Sequence, residues 1–195
     1  MHYKYCPECG TKLIPHPAGD DGDVPYCPNC NRMWFDSFSD CVLVLVYDEF
    51  DELALSSQWY LPKQFASFTT GFMKPGETAE EAAAREVQEE LGLTLQSVTY
   101  AGTYWFDYNS QLMHGFIGCA KKAPLHLSTE VQSAKWVPAA EVPGVMLPDF
   151  PGNAAMTVFR QYITSRGLPM PDIQTMTPEQ QKQMMRTTKE KIGSK

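Results

Sequence analysis

Between Gly71 and Leu93 the chain reads GFMKPGETAEEAAAREVQEELGL, and this stretch leaves its backbone few choices. Pro75-Gly76 marks a turn. Thr78 suits the N-cap of a helix, and Glu81 three residues on completes a capping box. Ala82, Ala83, Ala84, Val87 and Leu91 supply helix formers and an apolar stripe, and Gly92 suits the left-handed position after the last turn. A tight turn feeding a helix is therefore predicted. At ~100° per residue, Glu90 lies ~40° from Glu86 and Glu89 ~60° on its other side, so three carboxylates share one face. Ala83, Val87 and Leu91 occupy the adjoining sector, while Arg85 and Gln88 fall on the far side. Clustered carboxylates repel unless they are solvated or a cation sits between them. For REVQEE alone, a solvated acidic face is the default reading. Hydrolysis of a phosphoanhydride gives such a cluster another use, because divalent ions neutralise phosphate oxygens and activate water, and magnesium takes oxygen ligands at ~2.1 Å.

Around this segment the pattern alternates between strands and helices. Cys41–Tyr47 (CVLVLVY) reads as a buried strand, Asp48–Asp51 as a turn, and 52–57 as a returning strand. Residues 66–73 read as a further strand ending at Pro75-Gly76. Strand-like runs follow at 95–106, 111–121 and 131–137, with a polar loop at 121–130. Residues 153–165 have helical spacing through Ala155, Val158, Phe159, Tyr162 and Ile163. Thr177-Pro178-Glu179 is a good helix start, and 178–191 is predicted as a short helix. The last nineteen residues carry five Lys or Arg against two Glu, a net +3 in a chain whose formal charge is −7. A solvated tail is the default reading there, with docking on the acidic body or contact with nucleic acid as the sharper ones.

Four of the six cysteines are paired by spacing. Cys6 and Cys9 (CPECG) precede Cys27 and Cys30 (CPNCN), two C-x2-C knuckles separated by seventeen residues. That spacing suits a four-cysteine zinc ribbon with Zn–S bonds of ~2.3 Å. A disulfide scaffold is the competing reading, and it needs an oxidising compartment for which the sequence gives no sign. Cys41 and Cys119 lie in apolar runs and are expected in the core. His2, His16, His114 and His126 are scattered and need no functional role. A chain of 195 residues suits one substantial domain and a small appendage. The boundaries expected are a ribbon over 1–36, a catalytic domain over 37–168 and a polar, partly helical basic tail over 169–195. No basic segment leads into an apolar run near the start, and the longest apolar stretch is far short of the ~20 residues that span a bilayer, so a cytoplasmic protein is expected. The negative net charge argues against a general affinity for nucleic acid.

The stretch 71–93 matches G-x5-E-x7-R-E-U-x-E-E-x-G-U, with U apolar, at every fixed position, the U residues being Val87 and Leu93. It resembles the Nudix family. The resemblance implies an α/β fold, an α/β/α sandwich around a mixed sheet, and hydrolysis of nucleoside diphosphates linked to another moiety X with Mg2+ or Mn2+. It implies that Glu86, Glu89 and Glu90 are metal ligands and that one of them receives the proton of the attacking water. It also implies that Glu77 and Arg85 pair at the loop–helix junction, that Gly71 and Gly76 allow its tight turn, and that a later loop adds a carboxylate, for which Glu130 is in place.

A four-cysteine ribbon ahead of such a domain is similar to the NADH pyrophosphatase branch, whose substrates are NAD(H) and NAD-capped RNA ends. Leu112-Met113-His114-Gly115-Phe116 resembles that branch's strand, whereas its S-Q-P-W-P-F-P-x-S array is replaced by Thr103–Gln111 (TYWFDYNSQ). Phe72, Phe106 and Tyr108 are the candidate base-stacking residues, with Tyr104 and Trp105 in the same set. On a strand, about half of such aromatics face the core instead. The partners expected are a small nucleotide substrate and a second copy of the chain, with nucleic acid only as a capped RNA end and no membrane. Two other readings stand beside the hydrolase: a nucleotide-sensing regulator that contacts DNA or RNA, and a ribbon that serves only as a structural cap or dimer contact.

Overall fold

The valine-rich run at 41–47 lies inside a sheet with both of its faces covered, and that position explains its composition. In the computed structural model, which describes residues 3–59 and 61–193 apart from the side chains of Tyr108 and of 189–193, the chain forms two compact units, Met1–Ser39 and Asp40–Lys195.

The first unit is a three-stranded antiparallel sheet of β1 (Ile14–Pro17), β2 (Asp23–Cys27) and β3 (Arg32–Met33). Its first knuckle is closed by backbone hydrogen bonds from Gly10 to the Cys6 carbonyl and from Cys6 to the Thr11 carbonyl, at 2.9 and 2.8 Å, and in the second the Cys30 amide donates to Cys27 Sγ at 3.3 Å. Among the described residues, the buried apolar ones here are Cys6, Val24 and Cys27. So small a core needs another source of stability.

The second unit starts with β4 (Ser39–Tyr47) and β5 (Glu52–Gln58), an antiparallel hairpin turned by residues 48–51. There follow β6 (Thr69–Phe72), α1 (Ala79–Leu91), β7 (Leu95–Phe106), β8 (Gln111–Ala120), β9 (Val131–Pro138), α2 (Val142–Val145), α3 (Ala154–Arg166) and α4 (Pro178–Gly193). The strands order as β7-β8-β4-β5-β9, with β6 pairing the first half of β4. β4 and β8 run the same way, because His114 meets Asp40 near their starts while Cys119 meets Tyr47 near their ends. The other strand pairs described are antiparallel, so the sheet is mixed.

Val42, Val44 and Val46 pack on one face against Ala82, Ala83, Val87 and Leu91 of α1. Leu43 and Leu45 pack on the other against Met156, Val158, Phe159 and Ile163 of α3. A strand covered on both faces has no polar register, hence the unbroken apolar run. Each such side chain contributes about 1.5–3 kcal/mol on burial.

The expected strand over 66–73 is shorter, because its first residues pair elsewhere: Ser67 bridges Ser56 and Ala66 donates to the Val145 carbonyl. The one-turn helix α2 escaped the pattern, since Pro143-Gly144 reads as a break although proline is tolerated in a first turn. Cys41 is buried as expected, while Cys119 is only half-buried, its thiol 3.9 Å from Gln96 Oε1. The segment just before the basic stretch 177–195 is tied to the body. Asp149 and residues 174–176 exchange two backbone hydrogen bonds of 2.7 Å, and Leu168 and Ile173 pack on the α3 side of the core. Among the described residues, no helix is long and apolar enough to cross a membrane.

Candidate active site

The loop–helix junction is built as its sequence predicts. Thr78 accepts from the Glu81 amide at 3.2 Å and Glu81 Oε2 accepts from the Thr78 amide at 2.9 Å, while Gly92 closes α1 at φ 69°. Gly76 supplies the turn at φ 92°. Gly71 has a different role from the one expected: it lies within β6, and a Cβ there would overlap the Glu86 carboxylate. The glycine lets α1 approach the strand closely enough to set Glu86 against it.

Arg85 organises the carboxylates. Its Nε and Nη2 grip both oxygens of Glu77, Nη2 also donates to the Phe72 carbonyl at 3.0 Å, and Nη1 donates to Glu86 at 2.7 Å and Glu89 at 3.0 Å. Helical periodicity had set Arg85 on the far side of α1, but its side chain is long enough to curl back to the acidic face. The Arg85 guanidinium, helped by the Lys74 amide at 2.8 Å, holds the Glu77 carboxyl down to about 2. The Glu77 carboxylate in turn raises Arg85, so this pair stays charged across the working range.

Glu86, Glu89 and Glu90 differ in environment. Glu89 is exposed and meets Lys74 Nζ at 3.4 Å, Glu86 is largely covered, and Glu90 is 5% exposed. Gln58 of β5 donates from Nε2 to Glu90 Oε1 at 3.0 Å, and Thr69 of β6 lies against the same carboxylate. Glu90 Oε2 is buried without a hydrogen-bond partner. Burial pushes the Glu90 carboxyl up to about 7; Gln58 opposes this, while the charges of Glu86 and Glu130 add to it. Glu130, expected from a later loop, is therefore close enough to be felt there. An orphaned buried oxygen that feels the charges of Glu86 and Glu130 would suit a divalent cation with oxygen ligands. Gln58 and Thr69 went unnoticed in the sequence; the available signal was a polar residue on the β5 register that carries Ala54 inward.

The aromatic candidates separate. Phe72 is 58% exposed and lies beside Gly71, next to the glutamates. Phe106 is half-buried at the end of the edge strand β7, two strands away from β4. Tyr104 is a packing residue, its hydroxyl donating to the Ala101 carbonyl at 2.6 Å and accepting from Gln161 at 3.0 Å. Trp105 is 47% exposed, and the side chain of Tyr108 lies outside the described residues. A concavity of about 630 Å3 lies on the α3 side, lined by Tyr47, Thr99, Arg160, Gln161 and Arg166 among others, and no glutamate of α1 borders it.

In the first unit, Cys6, Cys9, Cys27 and Cys30 bring their sulfurs within 4.8 Å of one another. Tetrahedral Zn–S bonds of ~2.3 Å separate sulfurs by about 3.8 Å, so the four thiols fit one zinc ion. Among the described residues this is the one group of three or more ligand-type side chains gathered so tightly. The Thr11 hydroxyl, its amide and Asn29 lower the Cys9 thiol to about 5, whereas Cys30 is raised, first by its hydrogen bond with Cys9.

The NUDIX domain family matches residues 38–158. Similar curated proteins include the NAD-capped RNA hydrolase NudC of Chromobacterium violaceum, 27% identical over 147 residues (75% of this chain, 54% of that protein). Nudix hydrolase 19, chloroplastic, of Arabidopsis thaliana is 31% identical over 147 residues (71% and 33%). The chain spans about half the length of the NudC relatives it matches, and less of others. A crystal structure of a NUDIX hydrolase from Nitrosomonas europaea superposes with a TM-score of 0.65 at 19% identity, over 89% of this chain and 99% of that one, a likeness of fold. With the box of residues 71–93 folded into an arginine-organised carboxylate helix, and with the family match spanning 38–158, the chain belongs to the Nudix family.

Proposed function

We propose that this protein is a Mg2+- or Mn2+-dependent hydrolase that cleaves the pyrophosphate bond of a nucleoside diphosphate-X, with a dinucleotide such as NAD(H), free or as the cap of an RNA, as its substrate. The observation that carries the reading is the carboxylate set around Arg85 and Gln58, above all the buried, unpartnered Oε2 of Glu90. Retention of every fixed position of the box favours turnover over ligand sensing. The names of the NudC relatives favour the NAD-type substrate.

Glu86, Glu89, Glu90 and Glu130 would hold the ions. When bound, these supply positive charge to the phosphate oxygens and lower the pKa of a water. Arg85 fixes the carboxylates of Glu86 and Glu89 on one guanidinium nitrogen, so they need little reorganisation. Glu77 anchors the other edge of that guanidinium and ties it to the turn at Lys74. One glutamate takes the proton of the attacking water; the new P–O bond forms as the bridging P–O bond breaks, and the leaving phosphate keeps that electron pair. Phe72, exposed beside the glutamates, would stack a base, with Phe106 and Tyr108 as the further candidates. The four cysteines would hold a structural zinc, and a second copy of the chain remains the proposed partner.

The test is turnover of NADH, NAD+, ADP-ribose and NAD-capped RNA by the wild type, Glu89→Gln and Glu90→Gln in magnesium and in manganese. Each variant is expected to fold normally, by circular dichroism, and to lose at least about a hundredfold in kcat. Full activity in both variants, or tight binding of every substrate with no hydrolysis by the wild type, would sink the reading.

A further inference from the structure

Resting on the reading of α1 as a metal-binding face, we infer that Gln58 is a positioning residue: its amide fixes the Glu90 carboxylate so that Oε2 is left as the oxygen for the cation. Within the box, Arg85 gives its hydrogen bonds to Glu77, Glu86, Glu89 and the Phe72 carbonyl. Gln58 is 32 positions away in sequence, at the end of β5, and both side chains are buried, at 6% and 5% exposure. Nε2 donates to Oε1 at 3.0 Å, within ordinary hydrogen-bond range.

The backbone places this amide deliberately. The pairing of β5 with β9 shifts register between Ser57 and Gln58, so that Gln58 faces Val131. Such irregularities re-aim side chains at the end of a ladder. The same shift puts Gln58 beside the segment that begins with Glu130, whose charge also reaches Glu90. Arg85 reaches Glu86 and Glu89, while Glu90 takes a 3.0 Å hydrogen bond from Gln58 and has the Thr69 side chain against the same carboxylate. A carboxylate free to rotate about its last torsion presents its two oxygens in changing directions. A donor on one oxygen removes that freedom and leaves a single ligand atom in a fixed place. Partners that orient a metal-binding carboxylate in this way typically matter by 10–100-fold in affinity.

The alternative is that Gln58 only compensates the burial of Glu90, and the two readings differ in what they move. Mn2+ binding to the full chain is measured from the electron paramagnetic resonance signal of free Mn2+, for the wild type, Gln58→Met, Gln58→Asn and Glu90→Gln. Gln58→Met keeps the length and lacks the donor; Gln58→Asn keeps the amide but withdraws it by about 1.5 Å. Both are expected to fold, to bind Mn2+ about tenfold more weakly and to lower kcat, with KM for the substrate within about twofold. Wild-type Mn2+ affinity in Gln58→Met, alongside a loss in Glu90→Gln, overturns the positioning role alone. Wild-type affinity in Glu90→Gln as well overturns the metal reading of α1. Failure of both Gln58 variants to fold assigns the residue to stability and overturns the inference too.

Discussion

Arg85 spends its hydrogen-bonding capacity on Glu77, Glu86, Glu89 and the Phe72 carbonyl, so the charge distribution of the whole face depends on one side chain. A lysine has the charge but neither the planar fork nor the reach to serve four acceptors. Arg85→Lys is therefore expected to lower kcat/KM by about a hundredfold and stability by about 1.5–3 kcal/mol, the range for hydrogen bonds to charged groups. For a chain of this length that is roughly 2–4 °C in Tm per kcal/mol. Calorimetry and steady-state kinetics check both, and a Tm unchanged with a collapsed kcat/KM would confine Arg85 to catalysis. The residue scale also shows where periodicity misleads. It assigned Arg85 to the far side of α1 because it tracks Cβ directions, whereas a long side chain can cross a turn. It gave Glu86, Glu89 and Glu90 equal standing, although they run from exposed to 5% exposed.

Two elements carry measurable local determinants. At the start of α1 the reciprocal Thr78–Glu81 bonds satisfy helix amides that otherwise lack partners. Thr78→Ala should cost about 1 kcal/mol, seen as a lower urea midpoint with an unchanged m-value. The turn between β4 and β5 is tied to α3 by Asp51, which accepts from Tyr162 Oη at 2.7 Å and Arg166 Nε at 2.8 Å. Burial works to raise the Asp51 carboxyl, but the Arg166 and Tyr162 hydrogen bonds prevail and hold it below its usual value. Because the folded pKa is the lower one, this tie stabilises fully above the unfolded value of ~3.9 and is lost as pH falls through the folded value. Asp51→Asn should thus be less stable than the wild type by about 1 kcal/mol at pH 6, with the gap closing as the pH falls below the unfolded value of ~3.9. Denaturant titrations across that range give the answer; a gap independent of pH would exclude the carboxylate as its source. Caps, turns and helix limits were legible because they depend on neighbours within four residues. The early end of a strand predicted to start at 66 was not, since Ser56 and Val145 lie far off in sequence.

For the molecule as a whole, the two units have different sources of stability. The Asp40–Lys195 unit buries two apolar layers, one on each face of its sheet. Among its described residues the Met1–Ser39 unit buries little beyond Cys6, Cys27 and Val24, so metal binding is expected to supply its folding energy. Purified protein should contain one zinc per chain, released by a thiol reagent or by Cys6→Ser, with the ribbon resonances collapsing in NMR spectra. The larger unit should keep its own cooperative melting transition, and hydrolysis should persist once magnesium is restored. No zinc by elemental analysis would remove the ribbon assignment.

The sequence by itself determined the turn, the capped helix, the spacing of its glutamates and the two thiol pairs, because each follows from short-range geometry along the chain. Only the tertiary structure decided that Glu90 is the buried one of Glu86, Glu89 and Glu90. It alone brought Gln58 to one oxygen of Glu90 and set Glu130 near enough to raise it. Those outcomes depend on the register between β5 and β9 and on which helix face the sheet covers. Both are fixed by the packing of segments far apart in the chain, and neither leaves a local pattern to read.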